Sequence, residues 1–137
     1  METQIPITGG CLCGALRYEA RAEPIYAGLC YCADCRKASG APAFAWFSVA
    51  SNALRWTAGQ LQVRRSSNQA VRGFCAACGT TLTYQDDRWP EEIDVATASL
   101  DDPNQVPPAD HVFVRSRLGW LKLDDGLPQF QTTRSNG

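Results

Sequence analysis

The sequence predicts a mainly β fold: a single-domain β-sandwich, or a partly open barrel, of short strands built around zinc–cysteine sites. Three observations point there. Apolar and polar residues alternate over short runs, the period of a half-buried strand, and no window of ordinary helix length carries a 3.6-residue period. The runs are cut by turn residues, including 11 Gly and 8 Pro. The 7 cysteines fall in three tight groups, Cys11 and Cys13, then Cys30, Cys32 and Cys35, then Cys75 and Cys78.

From Gly10 the chain reads as a strand in which Cys11 and Cys13 leave from one side and Leu12, Leu16 and Tyr18 share the other. Arg21 to Pro24 is a turn into a second short strand, Ile25 to Leu29, which delivers Cys30. Arg36 to Pro42 has no hydrophobic period and carries Ser39-Gly40, so it reads as a turn-rich loop or a single helical turn. Ala43 to Val49 is almost continuously apolar, the composition of a strand covered on both faces. Leu54 to Trp56 and Leu61 to Arg64 read as short strands joined by Thr57-Ala58-Gly59, and Val71 to Phe74 leads into Cys75. Thr81 to Tyr84 alternates and is rich in strand formers, as does the run Ile93, Val95, Thr97. Asp101 to Ala109, with three prolines, is a connector. His111 to Val114 is a further strand and Leu118 to Leu123 a candidate one. Gln129 to Gly137 is polar and expected to fray.

At 137 residues the chain is expected to be one domain, its core spanning about residues 7–130. A hydrophobic share of 45% with 20% charged residues is that of a soluble globular protein. The formal net charge of -1 gives no general attraction to nucleic acid or to an anionic membrane, although Arg64, Arg65 and Arg72 form a small basic group. No apolar stretch reaches membrane-spanning length. Met1 to Gln4 shows no basic region leading into an apolar run, so no signal peptide is expected and the cytoplasm is the expected location. There thiols stay reduced, and clustered cysteines mean metal or redox chemistry more often than disulfides.

Cysteines two apart on an extended chain offer both sulfurs to one ion, and CxxC does so through a tight turn. A zinc-ribbon partition pairs Cys32 and Cys35 with Cys75 and Cys78, leaving Cys11, Cys13 and Cys30 without a role. The favoured partition uses every thiol: Cys11, Cys13, Cys75 and Cys78 close one site, and Cys30, Cys32 and Cys35 form a second with an open position. In zinc chemistry that is the difference between a structural and a catalytic ion. Three thiolates blunt the Lewis acidity of the metal, so the open site suits a soft sulfur ligand better than making hydroxide. His111 reads as an edge residue rather than a fourth ligand, and Asp34 as a turn residue.

At these residues the chain resembles the glutathione-dependent formaldehyde-activating family, which includes centromere protein V-like proteins. The resemblance lies in Gly10-Cys11-Leu12-Cys13-Gly14, in Cys30, Cys32 and Cys35 with Arg36-Lys37 and Ser39-Gly40, and in Phe74-Cys75 to Cys78-Gly79-Thr80. His111 to Val114 with Trp120 resembles the family's closing segment. The resemblance implies a β fold with two zinc ions per chain, the structural one on Cys11, Cys13, Cys75 and Cys78 and the catalytic one on Cys30, Cys32 and Cys35. It further implies joining glutathione to formaldehyde, a carbon–sulfur lyase activity when run backwards. Tyr31 departs from the pattern, standing where many members have histidine, a change that acts on the surroundings of the sulfurs and not on the ligand set.

The leading expectation is therefore a zinc-dependent carbon–sulfur lyase acting on a small thiol and a small aldehyde. Arg36, Lys37 or the Ser39 hydroxyl is a candidate anchor for a carboxylate or an oxyanion, with solvated surface charge the competing reading for the two cations. Phe44, Trp46 and Phe47 are expected in the core rather than on a substrate wall. The alternatives are a non-catalytic zinc-stabilised module for a protein partner and, with less support because no βαβ context flanks the CxxC pairs, a dithiol redox protein.

Overall fold

Short alternating segments cannot bury an apolar face alone, so they pair edge to edge and stack face to face. The computed structural model describes residues 6–134. In chain order its elements are β1 (Ile7–Gly10), β2 (Arg17–Ala20), β3 (Tyr26–Cys30), α1 (Ala33–Ser39), β4 (Phe44–Ala50), β5 (Leu54–Ala58), β6 (Gln62–Arg65), β7 (Ala70–Phe74), β8 (Thr81–Asp86), β9 (Glu92–Ala96) and β10 (His111–Val112). They form a three-stranded sheet, β1-β2-β5, and a seven-stranded sheet, β10-β3-β4-β9-β8-β7-β6. All pairings are antiparallel except β10 on β3. The two sheets do not close into a barrel, so the sandwich form of the expectation holds.

The main core lies between the sheets. Leu16, just before β2, and Tyr18 and Ala20 within it meet Phe47, Val49, Leu82 and Val95 from the larger sheet, all at most 1% exposed. The opposite face of the large sheet carries a second cluster, Cys30, Cys35, Trp46, Ala96 and Val112, with Phe44, Tyr84 and Phe113 packed against it. Residues directly opposite in register share a face. The pairs Tyr26–Ser48, Ser48–Asp94, Asp94–Tyr84 and Tyr84–Arg72 therefore set one polar and aromatic row across five strands of this second face.

Several sequence expectations are corrected. Cys11 to Ala15 is a turn between β1 and β2, not a strand, and Leu12 is 89% exposed while Leu16 and Tyr18 are buried. Residues before the loop at Gly40 form α1, longer than a single turn, because the Cys32 sulfur accepts the Cys35 N–H at 3.3 Å and caps the helix start. The strands expected at Leu54 to Trp56 and Leu61 to Arg64 form as β5 and β6 but lie in different sheets, with Gly59 where the chain passes from one to the other. Leu118 to Leu123 holds no strand. The expectation of a frayed end from Gln129 onward fails for residues 129–134. Phe130 and His111 share a backbone bond of 2.9 Å, Phe113 N donates to Thr132 O at 2.9 Å, and Arg134 forks onto Asp110 at 2.6 and 2.9 Å. That segment covers β10, which would otherwise be a bare sheet edge. Residues 135–137 lie outside the described residues.

Candidate metal centres

The first cysteine group stands at the tips of two hairpins. Cys11 and Cys13 occupy the β1–β2 turn, and Cys75 and Cys78 the β7–β8 turn. Each turn closes on a glycine in the left-handed region, Gly14 and Gly79, both at φ 81°, a conformation costly for any residue with a Cβ. The four sulfurs lie within 4.8 Å of one another, with Cys11 to Cys13 at 3.6 Å and Cys13 to Cys75 at 3.8 Å. A tetrahedral zinc thiolate has Zn–S near 2.3 Å, which sets sulfurs about 3.8 Å apart. Backbone N–H groups of Leu16 and Cys78 point at the Cys11 and Cys75 sulfurs at 3.3 and 3.4 Å. Thr80 ties the two turns, accepting from Leu12 N at 3.1 Å and lying 3.1 Å from the Cys78 sulfur. Since one turn belongs to the small sheet and the other to the large one, an ion here would fasten the sandwich.

The second group is assembled where β3 runs into α1. Cys30 ends the strand, Cys32 caps the helix and Cys35 lies in its first turn, with all three sulfurs within 4.8 Å. Cys30 and Cys35 are buried, and Cys32 is partly open to solvent. Hydrogen bonds from Cys30 and Cys35, with help from the Cys35 backbone N–H and the Arg72 charge, pull the Cys32 thiol far below its ordinary range. Its two neighbours and burial push Cys30 far above it. A divalent cation held by all three sulfurs would let them ionise together. The donor chemistry and spacing of both groups fit zinc.

The loop between Cys30 and Cys32 is held by a polar chain that runs from the buried Tyr31 and His111 to the exposed Asp125. The Tyr31 hydroxyl lies 2.8 Å from His111 Nδ1, the two rings stack at 5.6 Å, and His111 Nε2 reaches both carboxylate oxygens of Asp125 at 2.9 Å. Burial pushes the Tyr31 hydroxyl up, so it stays protonated and donates to Nδ1, while the ring gives its Nε2–H to Asp125. His111 is therefore on the edge strand as expected, but 1% exposed and fully occupied. Among the described residues no fourth His, Cys, Asp or Glu joins the three thiols.

The other sequence candidates are placed as follows. Arg36 sends Nη1 toward Ser116 O at 3.5 Å. Ser39 donates to Cys35 O at 2.7 Å and accepts from Ala41 N at 3.1 Å, binding the end of α1 to the loop after it. Asp34 lies in the first turn of α1. Phe47 is wholly buried in the main core, whereas Phe44 and Trp46 pack 4.5 Å apart on the face that holds the three thiols.

Several neighbours escape sequence reasoning. Arg72 on β7 extends Nη2 to the Cys35 sulfur at 3.9 Å, and Tyr84 on β8 packs beside Trp46 at 6.2 Å. A cleft of about 550 Å³ lies on the same face of the large sheet, bordered by Tyr84, Asp94, Trp89, Phe113, Thr133 and Arg134; Tyr84 and Phe113 also pack in the cluster around Cys30 and Cys35, but none of the three cysteines lines the cleft. Asp94, bonded by the Ser48 hydroxyl, is held up to about 6 by burial. Phe113, on the boundary between cluster and cleft, carries a left-handed φ of 57°. These contacts come from strand register across the large sheet, and no short motif encodes them.

Comparison with known proteins agrees with this geometry. Residues 6–116 match the sequence profile described as glutathione-dependent formaldehyde-activating enzyme. A Halomonas elongata protein named as a candidate glutathione-dependent formaldehyde-activating enzyme is 26% identical over 127 residues, covering 86% of this chain and 81% of its own. A crystal structure of a Rhodobacter sphaeroides protein superposes with a TM-score of 0.59 at 28% identity, over 72% of this chain and 93% of that one.

Proposed function

The chain belongs to the glutathione-dependent formaldehyde-activating enzyme family, and from that premise we propose that it is a zinc-dependent carbon–sulfur lyase. It joins a small thiol such as glutathione to a small aldehyde such as formaldehyde, or releases the pair from their adduct. The observation that carries this reading is the three-thiol group of Cys30, Cys32 and Cys35, which has no fourth donor among the described residues, standing apart from a complete four-thiol group. Cys11, Cys13, Cys75 and Cys78 are assigned the structural ion, and Cys30, Cys32 and Cys35 the catalytic one. Bound at the second group, zinc supplies a seat that holds a thiol in its deprotonated form.

The chain's own residues do the remaining work. Cys32, the most open of the three, faces the entering ligand. The Tyr31–His111–Asp125 chain fixes the loop that carries Cys30 and Cys32, so the sulfurs stay spaced when a ligand arrives. The cleft beside Tyr84 and Phe113 takes the body of the thiol and keeps its sulfur next to the aldehyde, which lowers the entropic cost of bringing the two together. In the addition, a sulfur electron pair forms the carbon–sulfur bond and the carbonyl π pair moves to oxygen. That oxygen takes up the proton that the thiol gave away on binding, so nothing is oxidised or reduced. Arg36, beside the cluster on α1, is the candidate anchor for a substrate carboxylate. Ser39 is a weaker candidate for the oxygen, since its hydroxyl already serves the helix end.

The test is exchange NMR of glutathione with formaldehyde in the presence of the zinc-loaded protein. Acceleration that disappears in Cys32→Ser, with circular dichroism unchanged, supports the proposal. No acceleration with glutathione or any other thiol tried would replace it with the zinc-stabilised binding module.

A further inference from the structure

Arg72 occupies the middle of β7, opposite Tyr84 in the register. Its guanidinium carbon lies over the Tyr84 ring, 4.8 Å from the centroid, and Nη2 reaches the Cys35 sulfur at 3.9 Å. Nη1 is buried without a hydrogen-bond partner, the one side-chain nitrogen or oxygen in that condition among the described residues. Arg17, Arg65, Arg88 and Arg134 each pair with a carboxylate, whereas no ion pair to Arg72 occurs among the described residues. A guanidinium set into a sheet face with an open N–H and no counter-ion is unfavourable unless an anion arrives.

The three-cysteine group is the anion within reach. Three thiolates around a divalent ion keep a net negative charge, and an incoming substrate thiolate adds another in a partly buried place where water compensates poorly. We propose that Arg72 is a positioning residue of the three-cysteine site, the fixed counter-charge that lets it accept a further thiolate. This inference rests on the reading above, that the site takes a thiol. Tyr84 packs against the guanidinium beside the cluster, and the ring row from Tyr84 through Trp46 to Phe44 keeps the surroundings dry enough for one charge to matter. The role follows charge and not substrate shape, so it applies equally to thiols with and without carboxylates.

The experiment uses the full chain loaded with cobalt(II) at both groups, whose visible spectrum reports a new sulfur ligand. It is titrated with 2-mercaptoethanol, which carries no charge, and with glutathione, which carries carboxylates. Arg72→Met keeps the aliphatic stem and removes the charge; Arg72→Lys restores the charge. The expected result is both thiols binding about 10- to 100-fold more weakly to Arg72→Met, with Arg72→Lys recovering most of the loss. Unchanged binding to Arg72→Met would overturn the proposal. So would a loss confined to glutathione, which would make Arg72 a carboxylate reader, or an Arg72→Lys as weak as Arg72→Met. Should Arg72→Met release cobalt from the three-cysteine group alone, retention in Arg72→Lys supports the charge role and release from both variants refutes it. A wild-type protein that responds to neither thiol removes the thiol-binding reading itself. A wild type and an Arg72→Met that respond alike remove only the role of Arg72.

Discussion

Tyr31 stands between two proposed ligands yet turns its hydroxyl away from them, into the pocket where His111 and Asp125 wait. Removing that hydroxyl leaves His111 Nδ1 buried and unpaired, so Tyr31→Phe is expected to cost about 1–3 kcal/mol in chemical denaturation. Metal content should stay at the wild-type value. Asp94 has the opposite sign of effect. Burial raises its folded value from 3.8 to about 6, so its protonated form is the one the fold prefers. The stability tied to that proton is complete below pH 3.8 and is lost as pH rises through about 6. Asp94→Asn should therefore flatten the pH profile of unfolding across that window and be the more stable protein at pH 7, by about 3 kcal/mol at most. Urea melts at several pH values check this. Neither residue's partner was legible in the chain. The CxC and CxxC spacings made each local set of thiols legible, whereas the meeting of Cys11 and Cys13 with Cys75 and Cys78, like Tyr31–His111 and Tyr84–Arg72, depends on segments distant in sequence.

At the scale of elements, hydrophobic alternation located the strands, and it failed where other forces decide. Cys11 to Ala15 alternates like a strand, yet the two thiols and Gly14 bend it into a turn that leaves Leu12 in solvent. Helix α1 has no apolar period to read because it is a short element held by its ends. The Cys32 sulfur caps its start and the Gly40 N–H returns to Arg36 O at 2.7 Å at its finish. The tail at 129–134 looked too polar to dock, but Arg134 supplies an anchor, forking onto Asp110 and stacking over Tyr26 at 4.4 Å. Gly28 on β3 makes room for that pair: a Cβ there would run into Asp110 and come within 2.6 Å of Arg134 Nη2. Gly28→Ala is expected to release the tail and raise hydrogen exchange at residues 129–134, with exchange in the main core unchanged.

At the scale of the molecule, the two cysteine groups do different mechanical jobs. The four-thiol group spans the two sheets and borders the main core, in which Cys11 and Cys75 themselves are buried. The three-thiol group lies on the far face of the large sheet. On the proposed reading, an ion at the first would serve the fold and an ion at the second the chemistry. Cys75→Ser is expected to lower the melting temperature sharply or prevent folding, since a structural zinc site contributes a large share of folding free energy in a small domain. Cys32→Ser should melt close to the wild type. The most direct test is native mass spectrometry of metal content, on protein purified without chelator and resupplied with zinc under reducing conditions. The expected result is two zinc ions in the wild type and one in a folded Cys32→Ser. A wild type that holds a single ion, or a Cys32→Ser that still holds two, would contradict the division into a closed structural site and an open reactive one.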